Sequence, residues 1–141
     1  MKVFIAGVMQ GNRKDSNIHS QKYRAVITQK LSELIDEIEV VDPDLTDPDR
    51  LTYTHEQAKN MFMKYCNTAG KVDLLISYLP EASMGSAIEM WMAHQNNVPI
   101  VTISPMKANW VVKLLSKAVY TNIEEFLSSF NKEVLNSLKI S

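Results

Sequence analysis

Short apolar runs alternate with longer stretches of helical periodicity, and this alternation most limits the folds open to the chain. The first run, residues 2–7, is apolar and ends in glycine, which is typical of a buried parallel strand. Further strands are predicted at 38–41, 72–77, 98–103 and 118–120. Helices are predicted from about residue 20, over 54–67, 84–95 and 109–116, and as one closing amphipathic helix over 123–138.

Strand–helix alternation with short connections implies a mainly parallel sheet with right-handed crossovers and helices on both faces. Five strands predict a doubly wound, flavodoxin-like α/β fold. A chain of 141 residues has the size of one ordinary domain, so we expect a single domain over 1–141. Ligands bind such sheets at the carboxyl ends of the strands, near the switch in strand order. The loops that follow residues 7, 77 and 103 are therefore the candidate sites.

Composition argues against several classes of function. With 15 Lys+Arg and 16 Asp+Glu, the chain lacks the excess of basic residues that is typical of proteins that bind nucleic acids. No apolar run approaches the ~20 residues that span a bilayer, and the first residues do not read as a signal peptide. We therefore expect a cytoplasmic protein with no membrane partner. One cysteine, Cys66, and three dispersed histidines suggest neither a disulfide nor a metal site, so no cofactor is expected.

The loop after the first strand has the composition of a ligand-binding turn. Gly7 and Gly11 flank its first turn, and Gln10 lies between them. Glycines let backbone amides approach a polar or anionic ligand, and Arg13 or Lys14 could supply charge. The loop is neither a Walker A sequence nor a G-x-G-x-x-G fingerprint. A solvated surface loop remains the competing interpretation.

The segment 73–89 contains the strongest chemical signal. A strand ends, a loop carries Ser83 and Gly85, and a helix that contains Glu89 begins. The free amides of a helix N-terminus attract phosphates and hydroxyls. A positioned carboxylate at Glu89 can attack or stabilise an oxocarbenium-like anomeric carbon. Alternatively, Ser86 and Glu89 form an S-x-x-E capping box, and Glu89 only helps to start the helix.

These residues make the chain resemble the nucleoside 2-deoxyribosyltransferase-like family, which includes 2′-deoxynucleoside 5′-monophosphate N-glycosidases. The segments that carry the resemblance are 3–11, 73–89 and 93–105. The resemblance implies that Glu89 attacks C1′ of the (deoxy)ribose and displaces the nucleobase. Another base (in a transferase) or water (in a hydrolase) then captures the covalent glycosyl-enzyme.

The resemblance also implies a set of residues that bind a nucleoside or nucleotide. Ser83 and the loop 7–11 would hold the 5′ end of the sugar. The full implied substrate-binding set is Gly7, Gln10, Gly11, Asp73, Ser83 and Gly85. Family members generally form homo-oligomers with active sites near subunit boundaries. The Met- and Trp-rich helix that starts at Met84 and the hydrophobic positions of the last helix are the surfaces that could form a dimer face.

Several positions depart from the family pattern. Phe4 stands where the family has a tyrosine that contacts the nucleophile, and Val8 and Gln10 replace a serine and an arginine of the monophosphate hydrolases. An aspartate of the second helix has no clear counterpart, and Glu56 is the nearest carboxylate. The alternatives to an enzyme are a non-catalytic module that binds a nucleotide or related metabolite, and a structural oligomer with no small-molecule role.

Overall fold

A five-stranded sheet forms the centre of the protein in the computed structural model, which describes residues 1–10, 18 and 20–138. The strands are β1 (Lys2–Gly7), β2 (Glu39–Val41), β3 (Leu74–Tyr78), β4 (Ile100–Ile103) and β5 (Ala118–Tyr120). Their order is β2-β1-β3-β4-β5, and each neighbouring pair is parallel. The predicted fold class, a flavodoxin-like α/β sheet of five strands, is confirmed.

Helices cover both faces of this sheet. They are α1 (Lys22–Leu34), α2 (Pro43–Thr46), α3 (His55–Ala69), α4 (Met84–Gln95), α5 (Trp110–Leu115), α6 (Ile123–Ser129) and α7 (Lys132–Leu138). One hydrophobic cluster joins α1, α6 and α7 to the sheet, and a second joins α3, α4 and α5 to the opposite face. Within the described residues, no helix is both long and apolar enough to cross a membrane.

Alternation along the strands sends successive side chains into the two clusters. On β1, Val3 and Ile5 face α1, whereas Phe4 and Ala6 face α3 and α4. All four are essentially inaccessible to solvent. This two-sided burial explains why the strands read as continuous apolar runs rather than alternating ones.

The closing helix predicted over 123–138 is wrong, because the chain breaks it into α6 and α7. Phe130 adopts an extended backbone (φ −78°, ψ 114°), is fully buried and stacks on Phe126 with ring centroids 5.0 Å apart. The Asn131 side chain then accepts a 3.0 Å hydrogen bond from the Val134 amide and starts α7. Burial of the second phenylalanine therefore outweighs continuation of the helix.

The acidic segment after β2 contains short helical turns. Asp42 caps α2 by accepting from the Asp44 amide, and Pro43 occupies the first turn, where its missing N–H is harmless. A 3₁₀ turn follows at Arg50–Thr52. A capping box starts α3, because the side chains of Thr54 and Gln57 each accept a hydrogen bond from the other residue's backbone amide.

Gly7 is needed where β1 meets the side chain of Tyr23. A Cβ at this position would lie 2.2 Å from the tyrosine hydroxyl oxygen and 2.7 Å from its Cζ. We expect Gly7→Ala to destabilise the protein by about 1–3 kcal/mol, because Tyr23 is itself buried and must shift. Chemical denaturation of Gly7→Ala, Tyr23→Leu and the double variant measures this effect. The double variant should be more stable than the sum of the single changes predicts, whereas additivity would show that the contact is not limiting.

Candidate active site

The change in strand order places the candidate site at the carboxyl ends of β1 and β3. The chain leaves β1 for β2 on one side of the sheet, and β3, β4 and β5 continue on the other. The end of β1 is joined to the end of β3 by a 3.1 Å hydrogen bond from the Val8 amide to the Tyr78 carbonyl. Helix α4 begins after β3, so its N-terminus lies above the same edge.

Helix α4 begins with Ser83 as its N-cap. The Ser83 hydroxyl accepts a 3.3 Å hydrogen bond from the Ser86 amide, and the Ser83 carbonyl accepts a 3.0 Å bond from Ala87. Glu89 is therefore the sixth residue of the helix, well past the third position that a capping box uses. The capping-box interpretation of Ser86 and Glu89 is wrong, and the carboxyl group of Glu89 is left free for another role.

Part of the Glu89 carboxyl group is shielded from solvent. Its Oε2 is buried and has no hydrogen-bond partner among the residues that the structure describes. Burial penalises the charged form and raises the pKa of Glu89 to about 8, while the nearby positive charge of Arg24 acts in the opposite direction. At neutral pH the carboxyl group is therefore mostly protonated in the unliganded protein.

Arg24, at the start of α1, is the buried cation of this site. Only 3% of its surface is exposed. Its Nη1 donates to the Ile5 carbonyl at 2.7 Å and to the Asp42 carboxylate at 3.2 Å, and its Nε donates to the Gln21 side chain at 2.8 Å. These bonds fix the guanidinium group beside the end of β1.

Glu89 affects the pKa of two further titratable side chains, Tyr23 and Cys66. The Tyr23 hydroxyl is 3.4 Å from the Val8 carbonyl and 3.3 Å from the Gln21 side chain, to both of which it donates. Burial, with a smaller effect from Glu89, raises the pKa of Tyr23 far above its usual range. Burial and the same carboxyl group raise the pKa of the Cys66 thiol on α3. Both side chains therefore stay neutral at physiological pH.

The first turn of α4 has capacity for a polar ligand. The backbone amides of Met84 and Gly85 donate no hydrogen bond to any acceptor in the described part of the chain. Apart from its chain neighbours and the backbone of its own helix, no described atom lies within 4 Å of the position that a Cβ on Gly85 would take. The hydroxyl oxygens of Ser77 on β3 and Ser86 on α4 are buried and lack partners among the described residues. Amides and hydroxyls of this kind can bind a phosphate or sugar hydroxyl.

The structure brings most of the predicted site residues to one edge of the sheet. Gly7 ends β1, and Ser83, Gly85 and Glu89 lie on or next to the first turns of α4. Gln10 is exposed beyond β1. The predicted residue Gly11, like the loop cations Arg13 and Lys14, lies outside the described residues.

Asp73 is the exception, because it lies at the opposite edge of the sheet. It precedes β3, and its carboxylate accepts a 2.7 Å hydrogen bond from the Lys2 amide at the start of β1. The five residues of β3 put about 16 Å between this edge and the carboxyl ends of the strands. The structure therefore removes Asp73 from the candidate site and gives it a role in joining β1 to β3.

Arg24 is the site residue that the sequence reasoning missed. It lies three and seven residues before Ile27 and Leu31, which are buried in the core below α1. A cation on an otherwise apolar helical stripe was therefore the available signal. The acidic run after β2 supplies its partner, Asp42, while Asp47 accepts from the hydroxyls of Tyr53 and Tyr65.

Among the described residues, no group of three acidic, histidine or cysteine side chains could hold a metal ion.

Comparisons with known proteins identify the fold. No protein-family model matches the sequence, and no curated protein sequence does either. The structure is similar to that of a 2-deoxyribosyltransferase from Bacillus psychrosaccharolyticus (TM-score 0.69, 14% identity, 96% of each chain covered). It is also similar to a conserved protein from Enterococcus faecalis V583 (TM-score 0.60, 17% identity), with 91% of this chain and 95% of that chain covered. At these identities the likeness shows a shared fold.

Burial of the Glu89 carboxyl group should make stability depend on pH. Because the pKa is raised to about 8 in the folded state, the folded protein keeps a proton that the unfolded chain has lost between roughly pH 4.5 and pH 8. Glu89 therefore destabilises the fold progressively as pH rises through that window, by up to about 1.4 kcal/mol per pH unit.

Glu89→Gln removes this dependence, so its stability relative to the native chain should grow from pH 5 to pH 8 and then level off. Urea denaturation across that range measures the difference. Glu33→Gln, an exposed glutamate on α1, is the matched control and should run parallel to the native chain. If Glu89→Gln also runs parallel, the carboxyl group is not desolvated as the structure indicates.

Proposed function

We propose that the protein cleaves or transfers the N-glycosidic bond of a nucleoside or nucleoside 5′-monophosphate, with Glu89 as the nucleophile. The observation that carries this proposal is the position of the Glu89 carboxyl group. Its Oε2 is buried and has no hydrogen-bond partner among the described residues, and Glu89 lies six residues beyond the Ser83 cap, near the carboxyl edge of the sheet. The similarity to a 2-deoxyribosyltransferase supports the same reaction.

The proposed reaction has two displacements at C1′. An ionised Glu89 oxygen forms a bond to C1′, the bond from C1′ to the base nitrogen breaks, and the base leaves with the electron pair and is protonated. Water or a second base then attacks C1′ and releases the Glu89 carboxylate. Water gives a hydrolase, whereas a second base gives a transferase. Ionisation of Glu89 is therefore the first requirement, and the free enzyme should become more active as pH rises towards 8.

We propose that the first turn of α4 binds the 5′ end of the sugar. The Ser83 region and the unpaired amides of Met84 and Gly85 would bind a hydroxyl or phosphate, which the helix dipole also favours. Gly7 ends β1 at the same edge of the sheet, and Gln10 and Gly11 follow it in the sequence. Gln10 cannot form the bidentate bonds of an arginine, so we do not assign the phosphate to it.

The second candidate function is ligand binding without catalysis, and the protonated state of the Glu89 carboxyl group favours it. Phe4 has no hydrogen-bond donor, and at neutral pH Glu89 is mostly protonated and so a weak nucleophile. A protein of this kind would gain thermal stability with increasing ligand concentration and show no turnover. The two candidates therefore differ in one measurable quantity, the release of free base.

Base release tests the proposal directly. Purified protein is incubated at pH 8 with deoxyribonucleosides, ribonucleosides and their 5′-monophosphates, each with and without an acceptor base, and free base is followed by chromatography. We expect release from at least one substrate class, and loss of at least 99% of it in Glu89→Gln, because no nucleophile remains. Release that needs the acceptor base identifies a transferase.

Asp73→Asn is the matched control for this experiment, since it changes a carboxylate at the far edge of the sheet. We expect it to lower stability through weakened bonding to the Lys2 amide but to keep base release. Base release that survives in Glu89→Gln would contradict the proposed nucleophile. No release from any substrate, together with ligand-dependent thermal stabilisation, would favour the binding module.

We also propose that copies of the chain associate through an apolar face on α4 and α5. Met84, Ile88 and Trp91 follow one stripe of α4, and 83% of Met84 is exposed. Trp110 and Leu114 form a second stripe on α5, which packs against α4. Large exposed apolar patches typically mark interaction sites. The stripe contains no charged residue and begins beside the Ser83 cap, so a second copy would lie next to the candidate site.

Trp91→Ala should shift the protein towards a monomer of 16.0 kDa, because a large aromatic anchor is lost from the contact. Light scattering coupled to size-exclusion chromatography measures the mass. Leu45→Ala, an exposed apolar residue on α2, should leave the mass unchanged. A native chain that is already monomeric would overturn the proposed contact, and a fully active Trp91→Ala monomer would separate assembly from function.

A further inference from the structure

We infer that Ser77 and Ser86 form a subsite for the 2′-hydroxyl group of a ribose, so that the protein prefers ribonucleosides to 2′-deoxyribonucleosides. The inference rests on the proposed function, because it takes C1′ of the sugar to lie at Glu89, and it adds the class of sugar. Two buried hydroxyl groups without a hydrogen-bond partner among the described residues carry it.

These two hydroxyl groups are exceptions among the buried polar side chains. The part of the chain that the structure describes buries six charged, serine or threonine side chains. Four of the six have hydrogen-bond partners, namely Arg24, Asp42, Thr102 and Ser104. Ser77 and Ser86 are 0% and 1% exposed, and their Oγ atoms have no partner among the described residues. Buried hydroxyls are normally bonded, so this pair calls for a group that completes it.

Helix geometry explains why Ser86 lacks a partner within α4. A helical serine or threonine can donate to the carbonyl four residues earlier, as Ser32 and Thr68 do at 2.9 Å and 2.8 Å. Ser86 is the third residue of α4, and the residue four positions earlier, Ala82, lies before the Ser83 cap. The carbonyl that usually accepts from such a hydroxyl is therefore outside the helix.

The rises of strand and helix place Ser77 and Ser86 at the same level between β3 and α4. Leu75 and Met90 belong to the hydrophobic cluster between the sheet and α4. On the same face of β3, Ser77 lies two residues, or about 6.6 Å, closer to the carboxyl edge than Leu75. Because α4 returns towards the start of the parallel strand β4, Ser86 lies four residues, or about 6 Å, closer to that edge than Met90. The two serines therefore continue the same interface.

Glu89 is next to Ser86 on α4. Residues three apart on a helix are neighbours, with Cβ atoms about 5–6 Å apart. With C1′ at Glu89, the hydroxyl on the adjacent carbon is the sugar hydroxyl nearest to the attacking oxygen. Glu89 as a whole residue is half-buried, and Gly85 adds no side chain to the first turn, so a sugar can approach from the open side of the helix.

The chemistry of this layer suits a neutral hydroxyl group better than a phosphate. A serine hydroxyl donates and accepts, as a sugar hydroxyl does. The buried cation Arg24 already bonds a carbonyl, Gln21 and Asp42. A site that bonds a substrate hydroxyl with buried polar groups rejects the analogue that lacks it. Hydrogen bonds to the 2-hydroxyl also strengthen in the transition state of glycoside cleavage, so kcat/KM should report the contact.

Substrate preference tests this inference. The kcat/KM of base release is compared for a ribonucleoside and for its 2′-deoxy and 3′-deoxy analogues with the same base. Calorimetry in Glu89→Gln measures the Kd of each without turnover. We expect the native chain to prefer the ribonucleoside to its 2′-deoxy analogue at least about tenfold. Ser77→Ala and Ser86→Ala should each reduce that preference by about three- to tenfold, because each removes one bond to the 2′-hydroxyl.

Urea denaturation of the unliganded variants supplies a second readout. Ser77→Ala and Ser86→Ala should not lower the free energy of unfolding, because each removes a hydroxyl group without a partner. Ser116→Ala is the matched control, since it removes the 2.7 Å partner of the buried Thr102 hydroxyl. It should lower the free energy of unfolding and leave the sugar preference unchanged. Losses of stability in Ser77→Ala and Ser86→Ala as large as that in Ser116→Ala would overturn the inference, because the hydroxyls would then be bonded in the free protein.

Failure of this inference and failure of the proposed function give different results. Base release with equal kcat/KM for the ribonucleoside and its 2′-deoxy analogue would overturn the subsite and leave the proposed nucleophile intact. A preference that depends on the 3′-hydroxyl instead would also overturn it. No base release, with the ribonucleoside still bound more tightly than its 2′-deoxy analogue, would overturn the proposed reaction and support the subsite. No binding of any nucleoside would overturn both.

Discussion

The hydrogen-bonded ion pair of Arg24 and Asp42 is the interaction on which the arrangement of the carboxyl edge depends. One guanidinium group bonds the backbone of β1, the segment after β2 and the segment before α1. Each of these charges would be expensive to bury alone, but together with the Ile5 carbonyl they satisfy one another. The start of α1 and the start of α2 are thereby held at the end of β1, which is where the strand order changes.

Much of the fold was predictable because its signals are local. The structure reproduces the range 84–95 predicted for α4, although the helix is capped by Ser83 and not by a Ser86–Glu89 capping box. The break between α6 and α7 has no comparable local signal. It depends on the stacking of Phe130 on Phe126 within a core that only the complete chain creates. Periodicity describes one helix at a time, whereas this break results from packing between elements.

The candidate site likewise contains residues that the sequence could place and residues that it could not. Gly7, Ser83 and Glu89 could be placed together because parallel strands bring their carboxyl ends to one edge. Asp73 is only ten residues from Ser83, yet β3 lies between them and carries the chain from one edge of the sheet to the other. The burial of Arg24 could not be predicted from the sequence, because an arginine on a helix is usually exposed to solvent. Its burial depends on Asp42, eighteen residues away, and on the Ile5 carbonyl.

The distribution of unsatisfied polar atoms is the observation that most strongly supports the proposed ligand site. In the described parts of the chain, buried side-chain atoms without partners are Arg50 Nε, Ser77 Oγ, Ser86 Oγ and Glu89 Oε2. Three of the four belong to β3 and α4. Each such group lowers stability by about 1–3 kcal/mol unless water or a ligand bonds it. A core selected for stability alone would place apolar side chains at these positions, so their presence on β3 and α4 supports the proposal that a polar ligand binds at this edge.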